Sequence, residues 1–194
     1  LLRDNVFGTV EEDALRRDFT VNGLYYDPDS DTVLDFSTGV ADLEARVLRV
    51  IGDPVTRFQE DPVRMLRAAR FAAKLDFAID PAALAAIARC RELLDQIPAA
   101  RLFDEVLKLL LPGRGEATFA VLDELDLFAP IFPETARALA AVPEWRAMVV
   151  HALDNSDERI GLGKPVTPAF LYAALLWPAL ARRMEALAEH AHLP

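Results

Sequence analysis

The sequence contains a single cysteine, Cys90, among 194 residues. One thiol excludes an internal disulfide framework and a zinc cluster built from cysteines. Because Ala86, Ile87 and Leu93 are its neighbours in the sequence, we expect Cys90 to be a buried small residue. No run of about 18 apolar residues is present, so a membrane span is not expected. These features fit a cytoplasmic protein long enough to bury a substantial core in one large or two small domains.

Basic residues are fewer than acidic residues, with 21 Lys and Arg against 31 Asp and Glu, and the net charge is −10. This balance argues against a nucleic-acid surface that covers the whole molecule. The basic residues are concentrated, however: residues 46–115 contain 12 basic and 9 acidic side chains, whereas residues 1–45 contain 3 and 11. A locally positive cleft in an acidic protein can still bind a triphosphate or RNA. Ordinary solvated helix faces remain the alternative.

No metal-ligating pattern is evident in the sequence. The three histidines do not converge on one helix face. The only Asp-x-Asp patterns are Asp27-Pro28-Asp29 and Asp29-Ser30-Asp31. Both lie in a segment with the composition of a turn. We therefore assign no metal ligands within this chain.

The first 50 residues are predicted to mix strands and helix, and the rest to be helical. Residues 23–26 and 32–36 are short β-prone runs around a turn signal and predict a hairpin. A short helix over 39–45 and a strand over 47–51 follow. Asp61 is then the expected N-cap of a helix with Pro62 at its first position. Further helices are predicted from Asp80 toward Leu94 and over 100–110, 116–125, 134–141, 143–153 and 168–189, the last with Pro178 as a candidate break. The predicted fold class is mainly α.

Two motifs carry the functional information, Arg16-Arg17-Asp18-Phe19-Thr20 and Glu60-Asp61-Pro62-Val63-Arg64. An ionised Asp only accepts hydrogen bonds and an Arg only donates them. Held together, they match a base edge that has an exocyclic amine beside a ring-nitrogen acceptor. Adenine and cytosine present that edge, whereas guanine and uracil present the reverse. The motifs therefore indicate selection of a nucleotide without a template.

In this order, the motifs resemble those of the template-independent nucleotidyltransferases of class II, the tRNA CCA-adding enzymes and bacterial poly(A) polymerases. The resemblance covers about residues 1–180 and is nearer to poly(A) polymerase, although both branches carry both motifs. It extends to Asp4-Asn5-Val6-Phe7-Gly8-Thr9, to Arg57-Phe58-Gln59 before the second motif, to Met65-Leu66-Arg67-Ala68 after it, and to Arg101-Leu102-Phe103-Asp104-Glu105-Val106-Leu107-Lys108-Leu109-Leu110.

The resemblance implies three domains: residues 1–50 as the C-terminal part of a nucleotidyltransferase head, 51–115 as a helical neck that recognises the base, and 116–194 as an RNA-binding helical body. In the family an Asp-x-Asp pair after a Gly-Ser segment holds two Mg²⁺ ions. Since no matching pair is present, we expect it upstream of Leu1 and the chain to be a fragment, truncated at both ends and inactive alone. No catalytic residue is assigned within the chain.

Six residues are predicted to bind the nucleotide, and the resemblance implies the roles of four of them. Arg17 and Asp18 would contact the sugar and phosphates of ATP. Asp61 would accept from the adenine N6 amine, and Arg64 would donate toward N1. The remaining two, Arg67 and Arg70, recur with Lys74 at spacings of three and four residues along one side of the helix after Pro62, and all three would line the triphosphate or the RNA 3′ end.

Structural alternatives remain open for these residues. Asp18 can instead form an ion pair with Arg16 or Arg17, and the arginines of the helix after Pro62 can form surface pairs. A structural ion-pair role is expected for Arg101, Asp104, Glu105 and Lys108.

The implied reaction is template-independent transfer of AMP from ATP to an RNA 3′ hydroxyl, with Mg²⁺ as cofactor and pyrophosphate as product. A CCA-adding enzyme is the first alternative. A non-catalytic helical RNA-binding module is the second. The sequence does not define the oligomeric state.

Overall fold

The computed structural model describes residues 8–191, with side chains through residue 189. Most of the motif that begins at Asp4 lies outside the described residues. The helices are α1 (Val10–Arg16), α2 (Gly39–Ala45), α3 (Pro54–Glu60), α4 (Val63–Leu75), α5 (Pro81–Cys90), α6 (Ala99–Leu110), α7 (Gly115–Glu124), α8 (Phe128–Ile131), α9 (Pro133–Ala141), α10 (Pro143–Gly161) and α11 (Pro168–Ala191). The strands are β1 (Leu24–Asp27), β2 (Thr32–Asp35), β3 (Val47–Leu48) and β4 (Ala78–Ile79).

The predicted hairpin is confirmed. β1 and β2 pair antiparallel, with Leu24 opposite Asp35 and Asp27 opposite Thr32. The predicted strand over 47–51 is shorter, because only β3 pairs in parallel with β4. Residues 49–51 turn instead to the first motif: the Thr20 amide donates to the Arg49 carbonyl, and the Ile51 amide donates to the Asp18 carbonyl, both at 3.0 Å. This pairing fixes the backbone on both sides of Asp18.

Asp61 has extended backbone and Pro62 has helical backbone, so the predicted cap at Asp61 is present, although the regular α-helix α4 begins one residue later, at Val63. The Asp61 carboxylate accepts from the Val63 amide at 3.2 Å, and its carbonyl accepts from the Arg64 amide at 3.1 Å. Asp61 also directly follows Glu60, the last residue of α3. Helix α3 was not predicted, although it has its own cap, because the Asp53 carboxylate accepts from the Thr56 amide at 2.8 Å. The second motif therefore lies at a bend between two helices.

Helices α10 and α11 also differ from the prediction, and α8 was not predicted. Helix α10 continues to Gly161. Helix α11 continues through Pro178 without a break. Helix α8 spans four residues, which is too short for a periodic signal. The remaining predicted helices are confirmed to within a few residues, and a 3-10 helix over Arg91–Gln96 extends α5 toward α6.

Helix α4 lies at the centre of the core. Its predicted apolar face is confirmed, since Val63, Leu66, Ala69, Ala72 and Ala73 are all buried. One continuous group of buried side chains runs from Phe19 through α4 and α7 to Leu175 in α11, and it includes Cys90, as predicted. The arginines of α4 lie outside this core and remain partly exposed. In the part of the chain that the structure describes, no helix is both long and apolar enough to cross a bilayer.

A buried carboxylate, Asp42, ties α2 to the segments around it. Its side chain accepts from the hydroxyls of Thr20 at 2.8 Å and Thr38 at 2.7 Å and from Arg49 Nε at 3.1 Å. Arg49 also donates to Asp80, the cap of α5. Burial alone would raise the pKa of Asp42, but the hydrogen bonds from Thr38, Thr20 and Arg49 outweigh it and hold the pKa below its ordinary value. The network therefore joins the α/β segment to the helices.

The approach of α2 to the first motif requires glycine at position 39. A Cβ atom on Gly39 would lie 2.5 Å from the Thr20 carbonyl oxygen and 2.7 Å from Leu24 Cδ2. The first of these contacts is with backbone, which cannot rotate away. Gly39 thus permits the close packing on which the Asp42 network depends.

Candidate functional site

Asp18 is buried, with 8% of its surface exposed. Its Oδ1 accepts from the Phe19 amide and from Asn22 Nδ2, both at 3.0 Å, and its Oδ2 accepts from Arg67 Nε at 2.6 Å. Burial alone would raise the pKa of Asp18, but the Arg67 and Asn22 hydrogen bonds reverse the shift and hold it below its ordinary value. The group is therefore an oriented carboxylate at neutral pH. It links the first motif to α4.

The ion pair expected between Asp18 and Arg16 or Arg17 is replaced by the pair with Arg67. Arg17 instead binds Asp13 at 2.7 Å and the Tyr25 hydroxyl at 2.9 Å. The Tyr25 hydroxyl also donates to Asp13. The hydrogen bonds from Tyr25 and then Arg17 lower the pKa of Asp13, and the bond to Asp13 raises the pKa of Arg17. Arg17 is thus anchored between α1 and β1, and not on its neighbour Asp18.

Asp61 and Arg64 both make contacts with the protein, yet both retain hydrogen-bonding capacity. Asp61 Oδ1 accepts from the Val63 amide, and Oδ2 accepts from Arg101 Nη2 at 2.8 Å. Arg64 Nη1 donates to the Arg57 carbonyl at 2.7 Å and to Glu60 at 3.0 Å. Within residues 8–191, Arg64 Nε and Nη2 make no hydrogen bond to protein. A carboxylate offers about four acceptor sites, so two remain on Asp61.

Arg57 joins the two motifs. Its side chain is 17% exposed. Nη2 donates to the carbonyls of Arg16 at 2.8 Å and Arg17 at 2.9 Å, and Nη1 donates to Glu60 at 2.7 Å. Glu60 also accepts from Arg64. The backbone of the first motif and the arginine of the second are therefore held by one guanidinium and its carboxylate partner.

Five of the six predicted nucleotide-binding residues meet in one open pocket of about 260 Å³. We call it the motif pocket. It is lined by Arg16, Arg17, Asp18, Asp61, Val63, Arg64, Arg67, Arg101 and Glu105. Five guanidiniums face three carboxylates, so its side chains carry an excess of positive charge in a protein of net charge −10. The sixth predicted residue, Arg70, does not line this pocket; it lies in an adjacent one.

Sequence reasoning missed some of the residues that build the pocket. Arg57 and Glu60 belong to the quoted motifs, but their spacing in the sequence did not predict the contacts that they make. Arg101 was expected in a structural ion pair, and its partner is the predicted base-reading residue Asp61. The pair between Glu105 and Lys108, at 2.8 Å, is of the expected structural kind.

The matched families are described as the poly A polymerase head domain, over residues 3–49, and the probable RNA and SrmB-binding site of polymerase A, over residues 76–139. Poly(A) polymerase I of Haemophilus influenzae is 49% identical over 189 residues, which are 96% of this chain and 42% of that protein. The chain belongs to the family of bacterial poly(A) polymerases and CCA-adding enzymes. It spans less than half the length of the relatives it matches.

Both branches of the poly(A) polymerase and CCA-adding family are similar to this chain. A CCA-adding enzyme of Limosilactobacillus fermentum is 47% identical over 120 residues, covering 62% of this chain and 30% of that enzyme. A tRNA nucleotidyltransferase crystallised with a primer tRNA and an incoming ATP analogue has a TM-score of 0.64 and 28% identity. That match covers 90% of this chain and 51% of the other. The mainly α fold class predicted above agrees with this family.

The metal ions implied by the poly(A) polymerase and CCA-adding family do not fit the residues described. No three His, Cys, Asp or Glu side chains between residues 8 and 189 are grouped to hold a metal ion. The carboxylates of the Asp-x-Asp turn are used locally: Asp27 accepts from the Asp29 amide and the Ser30 hydroxyl, and Asp31 accepts from Tyr26. The described residues therefore provide no set of ligands for these metal ions.

Proposed function

We propose that this chain recognises the nucleotide and the RNA in template-independent adenylation of RNA 3′ ends from ATP. The observation that carries the proposal is the convergence of Asp18, Asp61, Arg64 and Arg67 in one pocket. The match to poly(A) polymerase I covers 96% of this chain, whereas the match to the CCA-adding enzyme covers 62%. This difference favours adenylation over CCA addition.

The base edge would be read by Asp61 and Arg64. The unused acceptor sites of Asp61 suit the adenine N6 amine, and the unbonded Nε and Nη2 of Arg64 suit N1. Guanine presents the opposite donors and acceptors, so each mismatched contact would lose a hydrogen bond. A good bidentate base contact discriminates by about 1–3 kcal/mol. Cytosine fits the same pair of groups, which keeps CCA addition as the alternative.

The sugar and phosphates would be bound by the first motif and α4. Of the four acceptor sites of the Asp18 carboxylate, three are used by Phe19, Asn22 and Arg67. One site remains for a ribose hydroxyl. Arg17 and Arg67 are suited to phosphate oxygens, which guanidiniums bind in bidentate geometry. The carboxylate would thus bind the sugar, and the two guanidiniums would bind the phosphates.

The proposal extends to domains and setting. Residues 1–50 would complete a nucleotidyltransferase head, 51–115 would form the neck, and 116–194 would belong to an RNA-binding body. Mg²⁺ would be held by carboxylates that are not part of this chain. The reaction would take place in the cytoplasm.

Primer extension tests the proposal. The full-length protein is given single nucleoside triphosphates, with either an unstructured RNA or a tRNA that lacks its CCA end. Long extension of both with ATP alone is the expected result. Addition limited to CTP and then ATP on the tRNA would establish the CCA-adding alternative. RNA binding without incorporation of any nucleotide would establish the non-catalytic alternative.

A further inference from the structure

A second pocket lies next to the motif pocket and has a different composition. Its volume is about 670 Å³. It is lined by Arg70, Phe71, Lys74, Lys108, Leu109, Pro112, Gly113, Arg114 and Thr118. We call it the basic pocket. One wall is α4, and the other is the end of α6 with the link to α7. Four of its side chains are cationic and none is acidic.

Three of the four cations lie outside any ion pair of the described residues, although the charges of Glu105 and Asp18 act on Arg70. Lys108 is paired with Glu105. Arg70, Lys74 and Arg114 form no ion pair within the described part of the chain. Elsewhere the cations are commonly paired, as Arg64 is with Glu60. In a protein with ten more acidic than basic residues, three unpaired cations around one concavity indicate a site for an external anion.

The surroundings of Arg70 support an anion site. Its guanidinium lies 5.0 Å from the centroid of the Phe71 ring and is half-buried. Burial, and then the positive charge of Arg67, lower the pKa of Arg70 below its ordinary value. A bound anion would relieve both effects, because it replaces lost hydration and offsets the neighbouring cation.

The anion site rests on side chains and not on a helix end. The first amides of α7 are already used: those of Gly115 and Glu116 donate to Asp157 at 2.8 and 3.0 Å. The guanidinium and ammonium groups are therefore the charged donors of the basic pocket. Such groups favour phosphate oxygens.

We propose that the basic pocket binds a phosphodiester group of the RNA strand through Arg70, Lys74 and Arg114. Residues 108–118 of this pocket fall within the segment that matches the RNA-binding family model. The pocket adjoins the motif pocket, since Arg67 and Arg70 are three residues apart on α4 and about 4.5 Å apart along its axis. A strand whose 3′ end reaches the motif pocket would cross it. The assignment rests on the proposed function, because that function supplies RNA as the ligand.

The test compares two double variants of the full-length protein that remove the same charge. Lys74→Gln with Arg114→Gln alters the basic pocket. Arg89→Gln with Lys164→Gln is the control, because both residues are exposed and lie outside the basic pocket. Neither control side chain forms an ion pair in residues 8–189. All four substitutions are at exposed positions, and a thermal melt verifies that each protein is folded.

Binding of a fluorescent single-stranded RNA is measured over a series of salt concentrations, and the KM for ATP is measured in parallel. For a single strand, each phosphate that the protein no longer neutralises lowers the slope of log affinity against log salt by about 0.7. The basic-pocket variant should therefore lose about 1.4 from this slope, equivalent to about 25-fold in affinity at 0.1 M salt. The control removes the same charge outside the pocket, so its salt slope should stay closer to that of the parent protein than the slope of the basic-pocket variant does. Neither variant should change the KM for ATP.

Two results would overturn the assignment. One is a basic-pocket variant with the RNA affinity and salt slope of the control. The other is a raised KM for ATP with unchanged RNA binding, which would assign the pocket to the triphosphate. The proposed adenylation can fail separately: a parent protein that binds RNA with the predicted slope but incorporates no AMP refutes the activity and supports the pocket. A parent protein that binds no RNA refutes both.

Discussion

Replacing Arg57 should weaken the fold far more than replacing an exposed arginine with a similar set of partners. Arg57 donates to two backbone carbonyls and to Glu60 while only 17% of its side chain is exposed. Removing one partner of a buried ion pair costs about 3–5 kcal/mol. Because Glu60 is 50% exposed and can be rehydrated, we expect Arg57→Gln to cost about 2–4 kcal/mol of unfolding free energy.

Arg46 supplies the matched control. It also donates to a carbonyl and a carboxylate, those of Asp76, but the two side chains are 60% and 90% exposed. Exposed pairs of this kind contribute about 0–1 kcal/mol, so Arg46→Gln should be nearly neutral. Urea denaturation of the purified chain measures both, with stability taken from midpoint and slope. Equal losses in the two variants would refute the reasoning that Arg57 holds the motifs together.

Three further predictions concern the carboxylates and one glycine. Asp18→Asn should weaken discrimination between ATP and dATP by about 1.5–3 kcal/mol; a melting temperature that falls with an unchanged ATP to dATP ratio would restrict Asp18 to its structural pair with Arg67. The lowered pKa of Asp42 means that its contribution to stability is present above about pH 3.9, the unfolded value, and is lost as the pH falls through the folded pKa. Asp42→Asn should therefore destabilise the chain at pH 7 and flatten its acid unfolding curve, and a parallel shift at all pH values would count against this. Gly39→Ala should destabilise by about 1–3 kcal/mol through overpacking, whereas Gly161→Ala, whose Cβ would meet nothing within 4 Å, should be neutral or slightly stabilising in the same denaturation assay.

Local chemistry predicted most elements of the fold. The turn signal at 27–30 separated two β-prone runs. The capping residue Asp80 before Pro81 marked the start of α5, and Pro143 and Pro168 marked the starts of α10 and α11. Helix α3 was missed because only Val55 and Phe58 supply its apolar side, too little for a periodic pattern. The bend at Asp61 and Pro62 followed from that helix. The short parallel pair of β3 with β4 joins segments 31 residues apart, and no local pattern encodes it.

The candidate site was also predicted only in its local features and not in its long-range contacts. The residue types at Asp18, Asp61 and Arg64 predicted which hydrogen bonds each side chain can form, because a carboxylate only accepts and a guanidinium only donates. Their partners were not predictable: Asp18 binds Arg67 across 49 residues and Asp61 binds Arg101 across 40. Arg70 was grouped with Arg67 from helical spacing, yet the packing of α6 against α4 separates them into two pockets. Long-range packing decides which charges face one cavity.

The claim that Asp61 and Arg64 read the base edge is tested most directly by competition between ATP and GTP. The full-length protein, Asp61→Ala, Arg64→Ala and the exposed control Arg89→Ala are each given both nucleotides with one RNA primer, and the incorporation ratio is measured. We predict that Asp61→Ala and Arg64→Ala each lose about 1–3 kcal/mol of selectivity, or about 5- to 150-fold, while the control keeps the parent ratio. Folded Asp61→Ala and Arg64→Ala proteins that incorporate AMP over GMP with the parent ratio would contradict the account.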